Sequence, residues 1–232
     1  MPHLLVGGTT GAGKTVFLYG LLSALLTTHS DPNSLRLFIS TSKPEDFIFF
    51  EGLPHLETGN VIADADQAVH ILQSYLEEAF QERLELLTSA RCRDIGEYNR
   101  CNTKPLPPLV IIVDEFADLA DQLAGDKSAQ RTFYMHLRRV AQLGRSRGVH
   151  LVLCTQRPSA DLVPTNIRNL MNVRVSFCVN DAVASRMILD ETGAEQLQMH
   201  GDLLFKEQAI LTRAQGYYVS TDEIDELLES IQ

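Results

Sequence analysis

One run, Gly8-Thr-Thr-Gly-Ala-Gly-Lys-Thr15, restricts the fold of this chain more than any other part of its sequence. Its glycines let successive backbone N–H groups turn inward around phosphate oxygens, and a helix that follows such a loop presents its N-terminus to the same anion. The apolar segment His3–Val6 predicts a short strand before the run, and Lys14–Leu26 predicts a buried helix after it. An ordinary glycine turn is the alternative, but a strand, a loop and a helix in this order favour a phosphate-binding loop.

The residue types in this loop suit a nucleoside triphosphate with its metal ion. Lys14 supplies a positive charge for the β- and γ-phosphates, and Thr15 places a hydroxyl on Mg²⁺. We therefore expect ATP and Mg²⁺ as cofactors. The residues expected to contact the nucleotide are Gly8, Thr9, Thr10, Gly11, Ala12, Gly13, Lys14, Thr15 and Val16.

Two adjacent acids, Asp114 and Glu115, follow the apolar run Leu109–Val113. That run is continuous and rich in β-branched residues, which predicts a central strand buried on both faces. In a P-loop protein Asp114 would hold the Mg²⁺ shell through water, and Glu115 would orient or deprotonate the attacking water. The alternative is an ordinary strand end that carries two solvated acids.

A third polar position follows the strand predicted at His150–Thr155. Gln156 comes directly after it, where a polar side chain can reach the γ-phosphate or the water, so it is our candidate sensor. A further strand, Leu35–Ser40, intervenes between the P-loop strand and the strand that ends in the acids. That order matches the additional-strand, catalytic-glutamate branch of P-loop ATPases, and it disfavours adenylate-type kinases and small GTPases.

The rest of the chain alternates strands with helices, which implies an α/β fold with a mainly parallel sheet and helices on both faces. Ser220 and Glu223 have the spacing of a capping box for a final helix. The remaining predicted helices are Ala65–Thr88, Ala129–Arg147 and Ala182–Leu189. The remaining predicted strands are Val173–Val179 and segments around Leu203–Phe205 and Tyr217–Val219.

Composition limits the class of protein. The 232 residues are 44% hydrophobic and carry a net charge of −10, which suits one globular domain over 1–232 and argues against a protein that coats nucleic acid over its whole surface. No apolar stretch approaches the roughly 18 residues of a membrane span, so we expect a cytoplasmic segment without membrane contact.

Residues 127–160 hold basic but no acidic side chains, which predicts either a local basic face or a solvated helix face. The four cysteines lack metal-site spacing, and we expect buried thiols.

The chain resembles the motor domain of the FtsK/SpoIIIE DNA translocases in segments spread along most of its length. Beyond the P-loop, these segments are Glu51–Leu56, Val113–Leu119, Ala141–His150, Cys154–Ser159, Ser185–Asp190, Gly201–Phe205 and Gln215–Gly216. The resemblance implies a RecA-like domain, a homohexameric ring, ATP hydrolysis shared between neighbouring subunits, and double-stranded DNA in the pore.

The same resemblance assigns roles to three arginines. Arg145 falls where the family has an arginine that reaches the nucleotide of the neighbouring subunit, and Arg157 and Arg186 match positions that face DNA; a plain surface charge is the alternative for each. The chain departs from the family at Ser40–Glu45, where an Asp-Pro-Lys is usual, and at Ala182, where a DNA-facing lysine is usual. Both departures weigh against the DNA assignment.

The function implied is an ATP-hydrolysing motor that translocates double-stranded DNA as a ring-shaped oligomer. The alternatives are a type VII secretion ATPase that moves protein, and an FtsK/HerA-like motor of a DNA-defence or mobile-element system. A degenerate ATP-binding scaffold is disfavoured because Lys14, Asp114 and Glu115 are intact. We expect one motor domain excised from a longer protein, hexameric at full length, weakly associating or monomeric by itself when dilute, and tethered to the inner face of the membrane if flanking segments supply an anchor.

Overall fold

A computed structural model describes residues 3–158 and 163–231 of the chain. The strands are β1 Leu4–Gly7, β2 Arg36–Ser40, β3 Leu109–Val113, β4 Val149–Thr155, β5 Val173–Phe177, β6 Asp202–Glu207 and β7 Ile210–Gln215. The helices are α1 Lys14–Thr28, α2 Ala65–Ser89, α3 Ile95–Cys101, α4 Phe116–Gln122, α5 Lys127–Leu143, α6 Thr165–Arg168, α7 Ala182–Leu189 and α8 Thr221–Ile231. Short 3₁₀ segments cover Pro44–Phe50, Leu123–Gly125, Arg145–Arg147 and Ala194–Gln196.

The seven strands form one sheet in the order β2-β3-β4-β1-β5-β6-β7. The first five pair in parallel, and β6 and β7 add an antiparallel margin beside β5. The predicted branch of P-loop ATPases is confirmed by this order, because one strand separates the P-loop strand β1 from the acid-bearing strand β3. That strand is β4, however, whereas β2, which intervenes only in the sequence, lies at the edge of the sheet.

Alternate side chains of the buried strands enter two separate cores. Ile111 and Val113 of β3 pack with α2, α4 and α5 on one face, while Val110 and Ile112 pack with α1 and α8 on the other. All five residues of β3 are buried, as its uninterrupted apolar composition predicts. The mainly parallel sheet with helices on both faces is therefore confirmed.

Several predicted boundaries were wrong, and each has a local cause. The last strand is β7 rather than Tyr217–Val219; β7 is an exposed edge strand without apolar alternation, and the side chains of Tyr217 and Tyr218 are 89% and 78% exposed. Helix α5 begins at Lys127 because the Asp126 carboxylate accepts hydrogen bonds from the Ser128 and Ala129 N–H groups. The sequence analysis missed the short helices α3, α4 and α6. A helix of seven or fewer residues is too short to display a helical repeat of apolar side chains.

The capping box before α8 is confirmed, since Ser220 and Glu223 bond to each other's backbone N–H groups. Of the cysteines, Cys154 is buried but Cys101 is exposed, so the expectation of buried thiols was wrong for Cys101. Among the described residues, no helix combines the length and the apolar character needed to cross a bilayer.

Candidate nucleotide site

The phosphate-binding loop connects β1 to α1 at the carboxyl edge of the parallel strands. Gly8, Gly11 and Gly13 have positive φ angles of 154°, 76° and 118°, a region that favours glycine. A Cβ at Gly13 would lie 3.0 Å from the backbone N of Gly201, and that same N–H donates a 2.9 Å hydrogen bond to the Ala12 carbonyl. The loop conformation therefore requires glycine. The hydrogen bond from Gly201, directly before β6, holds the loop in place.

Lys14 is the first residue of α1, and its side chain is buried within the loop. Its Nζ donates hydrogen bonds to the carbonyls of Gly8, at 2.5 Å, and Thr9, at 2.9 Å. Burial lowers the pKa of Lys14, and the nearby charge of Glu115 opposes that shift. The structure therefore places the Lys14 side chain inside the loop for which the sequence predicts phosphate binding.

Asp114 follows β3 and is buried beneath the same cleft. Thr41 Oγ1 donates a 3.1 Å hydrogen bond to its Oδ2. Burial raises the pKa of Asp114, while the Thr41 hydrogen bond and Lys14 oppose the rise. Asp114 and Thr15 line one cleft, and their carboxylate and hydroxyl oxygens are ligand types suited to Mg²⁺.

Glu115 is held in an unusual backbone conformation at the start of α4. Its φ of +53° lies in the left-handed region, which is uncommon for a residue other than glycine and occurs often at functional sites. Thr155 Oγ1 and the Gln156 N–H donate hydrogen bonds of 3.2 and 2.8 Å to its carboxylate. Burial raises the pKa of Glu115, and the Gln156 hydrogen bond opposes the rise.

Gln156 joins the P-loop to this acid. Its side-chain Oε1 accepts a 2.5 Å hydrogen bond from Thr10 Oγ1, while its backbone N–H binds Glu115. The structure thus brings together the predicted phosphate-binding, metal-binding and water-activating residues at one edge of the sheet.

Two adjoining clefts open beside these groups. One, of about 230 Å³, is lined by Thr10, Gly11, Gly13, Lys14, Thr15, Val16, Lys43, Asp46, Asp114 and Gln156. The other, of about 480 Å³, is lined by Thr9, Thr10, Lys43, Glu115, Asp118, Gln156, Arg157 and Asn180. Sequence reasoning missed Thr41, Lys43 and Asp46, although their place after a parallel strand was a usable signal. Within the departure at Ser40–Glu45, Lys43 therefore lines both clefts.

A third cleft continues from the P-loop along α1 and was also missed. It has a volume of about 170 Å³ and is lined by Gly11, Gly13, Val16, Phe17, Phe177, His200, Gly201, Gln215, Gly216, Tyr217 and Tyr218. Its aromatic side chains suit the flat apolar face of a nucleobase. Gly11, Gly13 and Val16 were among the predicted nucleotide contacts, but the cleft combines four distant segments, so no local pattern predicts that its aromatic side chains meet there.

The structure places the three predicted arginines on three different segments. Arg157 lies beside the cleft, where its guanidinium contacts Asp118 Oδ1 at 2.7 Å and Asp121 Oδ2 at 3.5 Å. Arg186 is exposed on α7. Arg145 lies before β4, at the amino ends of the parallel strands and thus opposite to the carboxyl ends that carry the clefts. Burial lowers the pKa of His3 to about 4, and the charge of Arg145 adds to that shift.

The basic residues of 127–160 do not form one face. Arg138 and Arg139 are exposed on α5. Arg147 is instead buried, with its guanidinium 4.7 Å from the ring centroid of Phe80. Only part of this segment is therefore available to a partner. Ser159, the last residue of one family segment, lies outside the described residues.

Fold and site together define a P-loop ATPase domain, with a buried lysine in the loop and two buried acids directly after β3. The sequence profile of the FtsK/SpoIIIE family matches residues 1–104 and 99–160. The chain therefore belongs to the FtsK/SpoIIIE family, as the resemblance implied.

Curated relatives agree with that assignment. The DNA translocase FtsK of Treponema pallidum (strain Nichols) is 37% identical over 239 residues, and that of Helicobacter pylori (strain J99) is 34% identical over 238. Each alignment covers 100% of this chain but only 29% and 27% of the respective relative. The chain thus spans less than a third of the length of these translocases.

Solved structures share the fold. The pCW3 conjugation coupling protein TcpA, a monomer form with ATPγS, superposes with a TM-score of 0.80 at 26% identity, covering 100% of this chain and 65% of that one. The cytoplasmic domain of the type VII secretion ATPase EccC of Thermomonospora curvata gives 0.84 at 27% identity, covering 99% and 28%. A conjugation coupling protein with ATPγS and a type VII secretion ATPase thus share this fold.

Proposed function

We propose that residues 1–232 are one motor domain of a longer protein that hydrolyses ATP and translocates double-stranded DNA as a ring-shaped oligomer. The observation that carries the proposal is the placement of four side chains in two adjoining clefts of a chain of the FtsK/SpoIIIE family. Lys14 and Asp114 line one cleft, Glu115 lines the other, and Gln156 lines both. Curated relatives named as DNA translocases are 37% and 34% identical to it.

The chemistry follows from the placement of the side chains. Lys14 and the N–H groups at the start of α1 bind the phosphates, since an anion is stabilised at a helix N-terminus. Thr15 and Asp114 would hold Mg²⁺, which neutralises charge on the phosphate oxygens. Glu115 accepts a proton from the attacking water, and the raised pKa that burial gives its carboxyl makes it a stronger base than an exposed glutamate.

The distance between Arg145 and its own cleft determines how this arginine could act in hydrolysis. β4 has seven residues, so at about 3.3 Å per residue its length is roughly 20 Å. Arg145 precedes this strand and Gln156 follows it, hence an arginine side chain cannot bridge the gap. A role for Arg145 in hydrolysis therefore requires the cleft of a neighbouring subunit, as in rings whose arginine acts in trans.

A protein-secretion motor is the second candidate, favoured by the TM-score of 0.84 with EccC. The sequence identity of 27% to EccC is lower than the 37% and 34% to the DNA translocases. DNA is therefore the preferred partner, and the pathway, whether segregation, mobile-element transfer or defence, depends on the rest of the protein.

ATP turnover measured with and without duplex DNA tests this proposal. An assembled ring should turn over ATP faster with DNA, and the gain should shrink with added salt because most contacts are to phosphates. An assembled ring whose ATP turnover is unchanged by every duplex DNA added would move the assignment to protein secretion. A chain that binds no nucleotide would overturn both candidates.

A further inference from the structure

Lys43 is a charged residue of the cleft that the chemistry above leaves without a role. It lies three residues after β2, at the same carboxyl ends of the parallel strands as the P-loop, and it is exposed. Its ammonium has no hydrogen-bond or ion-pair partner among residues 3–158 and 163–231. An unpaired lysine on the wall of an anion-binding cleft is available to a ligand.

On one side, the backbone at Lys43 is tied to the strand that bears the acids. Thr41 Oγ1 accepts a 3.0 Å hydrogen bond from the Lys43 N–H and donates one of 3.1 Å to Asp114. Ser42 Oγ donates a 2.8 Å hydrogen bond to Asp118 Oδ2, at the start of α4. The turn is thereby held against both the metal-binding acid and the helix that follows Glu115.

On the other side, the turn is tied to the helix that follows the P-loop. The 3₁₀ segment Pro44–Phe50 begins directly after Lys43 and buries Phe47 and Phe50 in the core. The hydroxyl of Tyr19, from α1, donates a hydrogen bond to the Asp46 carbonyl. The flexible lysine side chain thus extends from a backbone that is anchored at both ends.

The position of Lys43 coincides with the place where a terminal phosphate must lie. The two clefts have three lining residues in common, which are Thr10, Lys43 and Gln156. One cleft contains Lys14 and the other contains Glu115. A phosphate bound by Lys14 and attacked by a water on Glu115 has to sit at their junction, beside Lys43.

Electrostatics agrees with this placement. Burial is the main cause of the lowered pKa of Lys14, and the charge of Lys43 adds to it. Burial raises the pKa of Asp114, and Lys43 opposes that rise. The Lys43 ammonium is therefore near enough to influence both groups that act on the phosphates and their metal ion.

We propose that Lys43 is a second cation for the terminal phosphate, acting within its own subunit; this inference rests on the ATPase function proposed above. Water oxygen attacks the γ-phosphorus, the bond from that phosphorus to the β–γ bridging oxygen breaks, ADP leaves with the bond's electron pair, and Glu115 takes the water proton. Lys43 donates a hydrogen bond to a γ-phosphate oxygen and stabilises its negative charge during the transfer. ADP lacks that phosphate and gains nothing from Lys43.

The test compares the binding of ATPγS and ADP, each with Mg²⁺, in the full chain. Lys43→Ala should weaken ATPγS binding about tenfold and leave ADP affinity within about twofold, as expected for one lost charge-assisted contact. Lys43→Arg should recover most of the ATPγS affinity, because it restores a cationic donor. Lys104→Ala removes an exposed lysine outside the cleft and should change neither affinity.

The outcomes separate this inference from the function on which it rests. Equal loss of ATPγS and ADP affinity in Lys43→Ala, or no loss of either, would overturn the role of Lys43 while wild-type binding leaves the ATPase assignment intact. Lys14→Ala serves as the reference, since it should weaken both nucleotides. Absence of nucleotide binding by the wild-type chain would overturn the ATPase assignment, and with it the role of Lys43.

Discussion

The backbone N–H of Gln156 donates a 2.8 Å hydrogen bond to Oε2 of Glu115, so the residue after β4 positions the acid after β3. The Gln156 side chain meanwhile accepts a hydrogen bond from Thr10 of the P-loop. One residue therefore touches both the P-loop and the acid for which we propose a role in activating water. A γ-phosphate that engages the Gln156 amide would act on Glu115 through this single peptide group.

The side chain of Gln156 should contribute to the chemical step more than to nucleotide binding. We expect Gln156→Ala to lower kcat by about 10²-fold, the usual cost of one lost polar contact in a transition state, with ATP affinity almost unchanged because Lys14 remains. Steady-state turnover and equilibrium nucleotide binding check this. A large loss of ATP affinity would show instead that Gln156 mainly shapes the loop through Thr10.

Substitutions of Lys14 and Glu115 should both stop ATP turnover but should differ in their effect on ATP binding. Lys14→Ala should abolish turnover and strongly weaken ATP binding, because it removes the buried charge that meets the β- and γ-phosphates. Glu115→Gln should keep ATP bound while stopping hydrolysis, since the amide cannot accept the water proton. Equal ATP affinity in wild type and Lys14→Ala would contradict the P-loop assignment.

The buried carboxylate of Glu115 should cost stability at neutral pH. Its folded-state pKa is raised by burial, so the charged form is disfavoured in the folded state and the penalty grows as pH rises from the ordinary glutamate value through the raised one. Glu115→Gln should therefore raise the melting temperature by a few degrees at neutral pH, and the gain should vanish below the ordinary glutamate pKa. Glu78→Gln, at an exposed position of α2, is the matched control; a gain independent of pH would argue against this origin.

DNA stimulation should depend on Arg157 and Arg186. We expect Arg157→Ala or Arg186→Ala to lower the DNA-stimulated turnover more than the basal turnover, and to reduce its salt dependence, because each removes about one phosphate contact. Arg157 forms an ion pair with Asp118 in the structure, so a DNA phosphate has to displace that carboxylate to bind Arg157. Arg100→Ala, at an exposed position of α3, should leave the stimulation unchanged. Unaltered stimulation in both variants would remove these residues from the DNA interface.

Arg145 should act on the cleft of a neighbouring subunit. Arg145→Ala should lower turnover by about 10³-fold or more, the usual contribution of an arginine supplied in trans, and wild-type turnover per subunit should rise with protein concentration as shared sites form. Mixing Lys14→Ala subunits with Arg145→Ala subunits should restore part of the activity, because some interfaces then join an intact P-loop to an intact arginine. Co-assembly without any recovery would show that Arg145 acts only structurally or within its own subunit.

The sequence predicted the elements whose patterns are local. The strand, loop and helix around Lys14 and the strand that ends in Asp114 were placed correctly, since glycine conformation and continuous apolar composition are properties of neighbouring residues. The edge strand β7 was missed because its side chains are exposed on both faces, which leaves no hydrophobic period to detect.

The sequence by itself predicted phosphate binding at Gly8–Thr15 and two acids for a metal ion and a water, because such functions are assigned from short contiguous motifs. Only the tertiary structure decided that β4 lies between β1 and β3, that Lys43 reaches the nucleotide cleft, and that Arg145 lies at the opposite edge of the sheet. The reason is physical. Strand order and side-chain proximity arise from packing between residues far apart in the chain, and no local period or motif records which distant segments share an edge.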